Sequence, residues 1–211
     1  MFRPLLIAVV VASAGAAAAQ PAPPAGLFIS PAGEPFRAGP GEAYPLAKWF
    51  AGADADHDGA LSPAEFNADG ARFFDALDTN HDGKLSNAET VAYETNIAPE
   101  IVKKIPMLSG DRSRDHPTDA MRAMPPPNGG ANRLRPPSEG AGFYSLLNEP
   151  EPVTGADTDF NTIVTRDEWT AAAKRRFGRL DKNADRMLRL DELPVPPIQA
   201  LMQADAGPGK R

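Results

Sequence analysis

Apolar side chains recur at helical spacing in two stretches of the chain, and acidic residues flank each stretch. The positions correspond between the two stretches and are Phe66, Phe74, Leu77, Trp169, Phe177 and Leu180. Residues at these offsets lie on one face of an α-helix. The pattern predicts two amphipathic helices of about 15 residues, each roughly 22 Å long at 1.5 Å per residue. We expect the two helices to pack against each other through these side chains.

Three segments rich in proline and glycine show no such periodicity. The chain holds 23 prolines and 18 glycines among its 211 residues. This composition predicts a flexible, disordered tether over 20–43 and a long linker over 106–142. It also predicts a poorly ordered tail over 195–211, apart from a short turn at 198–202. The folded part is therefore smaller than the length suggests.

The N-terminus has the pattern of a secretory signal peptide. Arg3 precedes an apolar run from Leu5 to Ala12, and small residues ending at Ala19 follow. The apolar run is too short to favour a membrane-spanning helix. We expect cleavage that removes residues 1–19 and leaves no membrane span, and hence a periplasmic or secreted protein. An uncleaved membrane anchor is the alternative.

Four acidic loops carry the candidate chemistry. The segments 54–65 and 78–89 match D-x-[DN]-x-[DN]-G-x5-E, and the segments 157–168 and 181–192 match it except at the glycine. Positions 1, 3, 5 and 12 of this pattern supply side-chain oxygens and position 7 a backbone carbonyl, which suits calcium. The candidate ligands are Asp54, Asp56, Asp58, Ala60, Glu65, Asp78, Asn80, Asp82, Lys84, Glu89, Asp157, Asp159, Asn161, Ile163, Glu168, Asp181, Asn183, Asp185, Met187 and Glu192.

The third and fourth loops depart from the pattern at position 6. Gly59 and Gly83 allow the positive φ that folds the first two loops around an ion, whereas Thr162 and Arg186 stand there in the later loops. A non-glycine residue in the left-handed region costs on the order of 1 kcal/mol. The fourth loop also has a cation at position 9, Arg189, which opposes the charge of a bound ion. This loop is either a calcium site or a loop kept for its packing.

The spacing of the loops predicts how they connect and pair. In each half the two loops begin 24 residues apart, so only 12 residues separate them. Two helices and a turn barely fit in that length, and one shared helix with a loop at each end is the simpler solution. Two loops on one helix cannot lie side by side. We therefore expect the first loop to pair with the fourth and the second with the third.

Helix starts are predicted where the loops end. A hydroxyl at position 9 and a glutamate at position 12 form a capping box, in which each side chain binds the backbone N–H of the other residue. The pairs are Ser62 with Glu65, Ser86 with Glu89 and Thr165 with Glu168. Before the first loop, Trp49 and Phe50 belong to the apolar stripe of a helix predicted over 44–52. Before the third loop, Pro150 and Pro152 predict an irregular approach.

These motifs resemble the EF-hand superfamily, specifically bacterial secreted EF-hand proteins with closely spaced tandem loops. The resemblance covers about residues 44–105 and 143–194, which would be the first and second EF-hand pairs. It implies an all-α fold of helix-loop-helix units, with two tandem pairs packed together, and helical folding linked to calcium. The close spacing also resembles lanmodulin, a periplasmic lanthanide binder. That family's proline at position 2 and aspartate at position 9 are replaced here, for instance by Ala55 and Ser62.

Composition narrows the function further. The formal charge of −6 argues against nucleic-acid binding, and the absence of cysteine excludes thiolate sites. No nucleophile, base or cofactor motif indicates an enzyme. We expect calcium binding in a structural or buffering role; the alternatives are a calcium sensor that binds an unidentified protein partner, and a lanthanide binder. His57 and His81, at position 4, are expected to be surface residues rather than transition-metal ligands.

Overall fold

A computed structural model describes residues 26–39, 41–102 and 140–205 of the chain. The helices are α1 Leu46–Ala53, α2 Pro63–Leu77, α3 Asn87–Ala92, α4 Arg166–Leu180 and α5 Pro197–Asp205. The strands are β1 Gly26–Ile29, β2 Pro35–Ala38, β3 Ala60–Leu61, β4 Lys84–Leu85, β5 Val164–Thr165 and β6 Leu188–Arg189. Within these ranges no helix is long and apolar enough to cross a membrane. The predicted signal peptide and the linker residues 106–139 lie outside the described residues.

Each half of the molecule is built on one long helix that joins two acidic loops. The helices α2 and α4 each run for 15 residues, which confirms the prediction of a shared helix. Asp69 and Gly70 do not interrupt α2, although both have low helix propensity. Asp69 Oδ2 accepts a hydrogen bond from Trp49 Nε1 at 2.9 Å, and Gly70 O accepts one from Trp169 Nε1 at 2.8 Å. These two residues therefore hold the two indole rings of the protein.

The shared helices pack against each other through the side chains that the sequence predicts. All six of these side chains are buried. The ring centroids of Phe74 and Trp169 lie 5.5 Å apart, and those of Phe66 and Phe177 lie 5.6 Å apart, both edge to face. Such pairs contribute about 0.5–1.5 kcal/mol beyond the burial of their area. Because α2 and α4 run antiparallel, one ring pair joins the two halves near each end of the helices.

A β-hairpin precedes α1, so the prediction of an all-α fold with a flexible tether over 20–43 is wrong for residues 26–38. Strands β1 and β2 pair antiparallel over their whole length. Leu27, Phe28 and Ile29 are at most 2 % exposed, and the ring of Phe28 lies 5.4 Å from that of Trp49. Burial of three consecutive apolar residues offsets the disordering effect of the nearby prolines.

The hairpin contacts both halves of the molecule. The N–H of Ile29 donates to Tyr144 O at 3.0 Å, and the hydroxyl of Tyr93 donates to Gly33 O at 2.7 Å. Tyr93 is fully buried and begins a π-helical turn, Tyr93–Ile97, that extends α3. The hairpin therefore fixes the segment after the second loop relative to the segment before the third.

The chain reaches the third loop through short 3-10 turns, as its prolines predict. These turns are Gly140–Phe143 and Thr154–Ala156, so the last three residues of the predicted linker are ordered. Arg176 of α4 is 3 % exposed and donates to Pro152 O at 2.6 Å and to the carboxylate of Glu149 at 2.7 Å. This buried arginine holds the approach to the third loop against the shared helix.

Helix α5 corrects the prediction of a poorly ordered tail. It spans Pro197–Asp205, where the sequence predicted only a short turn at 198–202. Proline is favoured at the first helical position, and the next glycine or proline comes only after the helix ends. Residues 206–211 lie outside the described residues.

Candidate metal centres

The four acidic loops, named loops 1 to 4 for 54–65, 78–89, 157–168 and 181–192, share one backbone turn. Positive φ occurs at position 4 in His57 (60°), His81 (56°), Phe160 (60°) and Ala184 (59°). It occurs at position 6 in Gly59 (85°), Gly83 (80°), Thr162 (67°) and Arg186 (64°). The sequence signalled position 6 but not position 4, where no glycine stands. Loops 3 and 4 thus keep the turn without glycine, at a cost on the order of 1 kcal/mol per residue.

The aspartate at position 1 closes each turn. Its Oδ2 accepts a hydrogen bond from the N–H of position 6 in all four loops, at 2.9–3.1 Å. In loops 1 and 2 its Oδ1 accepts a second bond, from position 5. The Oδ1 atoms of Asp157 and Asp181 are buried and have no hydrogen-bond partner among the described residues. A buried carboxylate oxygen without a partner is costly, and a cation beside it would remove that cost, so position 1 keeps this one feature of a metal site in both loops.

Carboxylates converge in loops 1 and 3. One oxygen from each of Asp54, Asp56 and Asp58 lies within 4.8 Å of the other two. The same holds for Asp157 and Asp159 with Glu168. Calcium binds oxygen at 2.3–2.6 Å, so ligand oxygens around one ion are at most about 5 Å apart. The spacing of both groups therefore suits ligands that share one ion.

The glutamate at position 12 ties the two ends of the loop together in loops 1 to 3. In loop 2, Glu89 Oε2 accepts from the N–H of Ser86 at 2.9 Å, and Glu89 Oε1 accepts from the N–H of Thr79 at 2.9 Å. Glu65 and Glu168 make the equivalent bonds to positions 9 and 2. All three glutamates form the predicted capping box. The bond to position 2 was not expected from the sequence, because its donor is a backbone N–H that any residue supplies.

These hydrogen bonds keep the glutamates ionised. For Glu168, donation from the backbone of Thr165 and of Thr158 lowers the pKa to about 2. For Glu89, burial acts in the opposite direction, but donation from Ser86 and Thr79 outweighs it and the pKa is again about 2. Bonds from Ser62 lower the pKa of Glu65. A carboxylate that is charged over the whole neutral range is ready to bind a cation.

The loops pair across the two halves as the spacing predicts. Strand β3 of loop 1 pairs with β6 of loop 4, and β4 of loop 2 pairs with β5 of loop 3, both antiparallel. Position 8 faces position 8 in each pair, where Leu61 lies opposite Leu188 and Leu85 opposite Val164. All four of these side chains are buried. The two loop pairs therefore close the two ends of the α2–α4 core.

Loop 4 differs from the others at its C-terminal side. Arg189 donates to Asp185 Oδ2 at 2.7 Å and lies 3.7 Å from Glu192 Oε1. Glu192 accepts instead from the amide of Asn183 at 3.0 Å. No helix begins at the end of this loop, which corrects the prediction that every loop end begins one: residues 190–192 form a turn. Arg189 lacks the hydroxyl that caps a helix at this position in loops 1 to 3.

His57 and His81 are both exposed. Among the described residues, the acidic groups placed to share an ion include neither His57 nor His81. This agrees with the expectation that they are surface residues.

The model of the EF hand family matches residues 46–68 and 71–91. The matched residues take in loops 1 and 2 with their flanking helices, and they support the EF-hand superfamily for this part of the chain. Loops 3 and 4 lie beyond the matched residues but repeat the same backbone turn and cross-strand pairing. No curated protein and no solved structure matches the chain significantly. The family and the clustered carboxylates together point to the binding of a divalent metal, typically calcium.

Proposed function

We propose that this protein binds calcium ions in its acidic loops and that the ions hold the two halves of an exported protein together. The observation that carries the proposal is the convergence of Asp54, Asp56 and Asp58 within 4.8 Å in a loop that also matches the EF hand family. A bound calcium ion would supply positive charge to carboxylates that otherwise repel one another. The glutamates at position 12 would complete the ligand set.

The connectivity supports a structural role. Each shared helix carries a loop at both ends, and each loop pairs with a loop of the other helix. An ion that rigidifies one loop therefore also stabilises the contact between α2 and α4. Because the unfolded chain offers no preformed site, binding adds directly to the stability of the fold.

A sensor would have to expose the apolar faces that α2 and α4 now bury. In this arrangement Phe66 and Phe74 are both less than 6 % exposed, and paired loops hold the helices together at both ends. Separation of the helices would break both loop pairs at once. The geometry therefore favours a structural role over a calcium-dependent switch, and buffering would accompany it.

Export is the second part of the proposal and rests on the N-terminal sequence alone. Calcium outside the cytoplasm is abundant, and extracellular calcium modules work with dissociation constants of about 10⁻⁴–10⁻³ M. A periplasmic or secreted location would therefore keep such loops occupied. N-terminal sequencing of the protein recovered from the culture medium and the cell envelope would test it: a start close to Gln20 supports export, and an intact Met1 contradicts it.

Calorimetric titration of the purified chain with calcium, magnesium and lanthanum tests the metal. We expect calcium to bind far more tightly than magnesium, because the loops offer many oxygen ligands at flexible spacing. A lanthanum affinity far above that for calcium would favour the lanthanide alternative. No heat with any of the three ions, together with an unchanged melting temperature, would contradict the proposal. An apolar dye that binds only the calcium-loaded protein would support the sensor.

A further inference from the structure

The side chain at position 9 separates loop 4 from the other three loops. Loops 1 to 3 have Ser62, Ser86 and Thr165 there, and each hydroxyl accepts from the N–H of position 12 in a helix cap. Loop 4 has Arg189, whose guanidinium reaches back into its own loop. We propose that this guanidinium takes the place of the metal ion in loop 4, so that the loop keeps its shape without calcium.

The contacts of the guanidinium support this assignment. Arg189 Nη1 lies 2.7 Å from Asp185 Oδ2 and 3.7 Å from Glu192 Oε1. These carboxylates stand at positions 5 and 12, two of the positions that supply metal ligands in an acidic loop of this pattern. A fixed positive charge between them repels an incoming cation and removes the need for one. The residues of loop 4 thus do not fit a calcium ion as those of loops 1 and 3 do.

Glu192 shows the same change of role. Its carboxylate does not accept from the backbone N–H groups of positions 2 and 9, as its counterparts do, but accepts from Asn183 Nδ2 at 3.0 Å. The amide oxygen of Asn183 also accepts from the N–H of Asp185 at 3.0 Å, a bond that positions 3 and 5 make in the other loops as well. Positions 3, 5 and 12 are therefore joined to one another and to Arg189.

Part of a metal site remains at position 1. Asp181 Oδ1 is buried without a hydrogen-bond partner among the described residues, like Asp157 Oδ1 of loop 3. Arg186 also keeps the positive φ of position 6. Loop 4 therefore retains the turn of a calcium loop, and removal of the guanidinium should restore a site.

The arginine at position 9 of loop 4 also affects loop 1, because the two loops are paired. Arg189 lies in β6 opposite Ala60 of β3, so loop 1 pairs with a loop whose shape is already set. Loops 2 and 3 pair with each other through Lys84 and Thr165, and neither contains such a cation at position 9. We expect loop 1 to bind one ion independently, and loops 2 and 3 to bind two ions cooperatively.

The test is the calcium stoichiometry of the full chain, measured by calorimetry for the wild type and for Arg189→Ser. Serine is the residue at position 9 of loops 1 and 2. We expect three ions for the wild type and four for Arg189→Ser. The matched control is Arg175→Ser, which removes an exposed arginine of α4 outside the loops and should leave three. In chelator, Arg189→Ser should melt at a lower temperature than the control.

The outcomes separate this inference, which rests on the proposed function, from that function itself. Four ions in the wild type, or three in a folded Arg189→Ser, would overturn the inference while calcium binding stands. No calcium binding by the wild type would overturn the proposed function and the inference with it. If Arg189→Ser does not fold, Arg189→Gln gives the neutral variant, and four ions are again expected. Arg189→Lys, which keeps the cation, should bind three, and a fourth ion there would contradict the role of charge.

Discussion

The two loop pairs share a backbone and differ in how their charge is balanced. In the loop 1–4 pair, position 7 of one loop faces position 9 of the other as Ala60 opposite Arg189. In the loop 2–3 pair the corresponding residues are Lys84 and Thr165. The first pair therefore carries an internal cation at position 9, whereas the second has only hydroxyls at that position. The loop 2–3 pair should depend on calcium more strongly.

The turn of a calcium loop can form without the ion. Loop 4 keeps the positive φ at Ala184 and Arg186 and the bond from position 6 to Asp181. It also keeps its strand, although the side chain of Arg189 balances the charge of the carboxylates at positions 5 and 12. A loop can thus remain in the fold because the opposite loop needs a partner.

Removal of calcium is expected to have the largest effect. Each site contributes about 2.7 kcal/mol when free calcium is 100 times the dissociation constant, so three sites contribute about 8 kcal/mol. For a chain of this size that corresponds to a fall in melting temperature of about 20 °C. Scanning calorimetry with calcium or with a chelator measures the fall. A difference of less than about 2 °C would contradict a structural role for the ions.

Amide hydrogen exchange in chelator sharpens this prediction. The N–H groups of Leu85 and Val164, in the loop 2–3 pair, should lose protection first. Those of Leu61 and Leu188 should keep more of it, because Arg189 balances the charge of loop 4. Equal loss of protection in both pairs would show that Arg189 does not stabilise the loop 1–4 pair in the absence of calcium.

Truncation of a core side chain beneath the loop 2–3 pair should have the next largest effect on stability. Phe74 is fully buried and its ring lies 5.5 Å from that of Trp169. Phe74→Ala should cost about 3–5 kcal/mol, whether or not calcium is present, because it leaves a cavity between the helices. Urea denaturation measures the loss. The control is Phe160→Ala in loop 3, whose side chain is 86 % exposed and whose removal should change stability by less than about 0.5 kcal/mol.

Much of the fold follows from the sequence where one physical rule dominates. The spacing of the loops made one shared helix the simpler solution, and α2 and α4 are single helices of 15 residues. A loop at each end of a rigid helix then excluded pairing within a half, so the cross-pairing of the loops was also predictable. Helical periodicity alone predicted that Phe66 and Phe177 belong to the contact between the two helices.

The rest depended on tertiary contacts that the sequence does not display. The hairpin of β1 and β2 is stable because Phe28 packs beside Trp49. The prolines around it predicted a disordered segment instead. In the loops, the opposing charge of Arg189 was visible, but its bond to Asp185 was not. Whether a cation opposes an ion or replaces it depends on where its side chain points.

Removal of a single ligand from one loop at a time should show which loops bind calcium. Glu89→Gln keeps the capping box, because glutamine also serves at that position, but removes the charge that binds calcium. We expect the loop 2 site to be lost and the paired loop 3 to bind more weakly, with a loss of at least about 2.7 kcal/mol of stability at 100 times the dissociation constant. Glu192→Gln in loop 4 is the matched variant and should leave the stoichiometry of the wild type. A site lost in Glu192→Gln would show that loop 4 binds calcium.

The smallest effect is expected at position 2, where loop 2 has a hydroxyl that loop 1 lacks. Thr79 Oγ1 donates to Glu89 Oε1 at 3.0 Å, whereas loop 1 has Ala55. In chelator, Thr79→Ala should raise the pKa of Glu89 from about 2 and cost about 0.5–1.5 kcal/mol at neutral pH. Because the folded pKa lies below the unfolded value of about 4.3, this stabilisation is present above pH 4.3 and is lost as the pH falls towards 2. The wild type and Thr79→Ala should therefore approach equal stability in acid, which urea denaturation at pH 7 and pH 2 would measure. In the reverse experiment, Ala55→Thr should lower the pKa of Glu65. A stability difference as large at pH 2 as at pH 7 would mean that the hydroxyl acts through packing and not through the charge of Glu89.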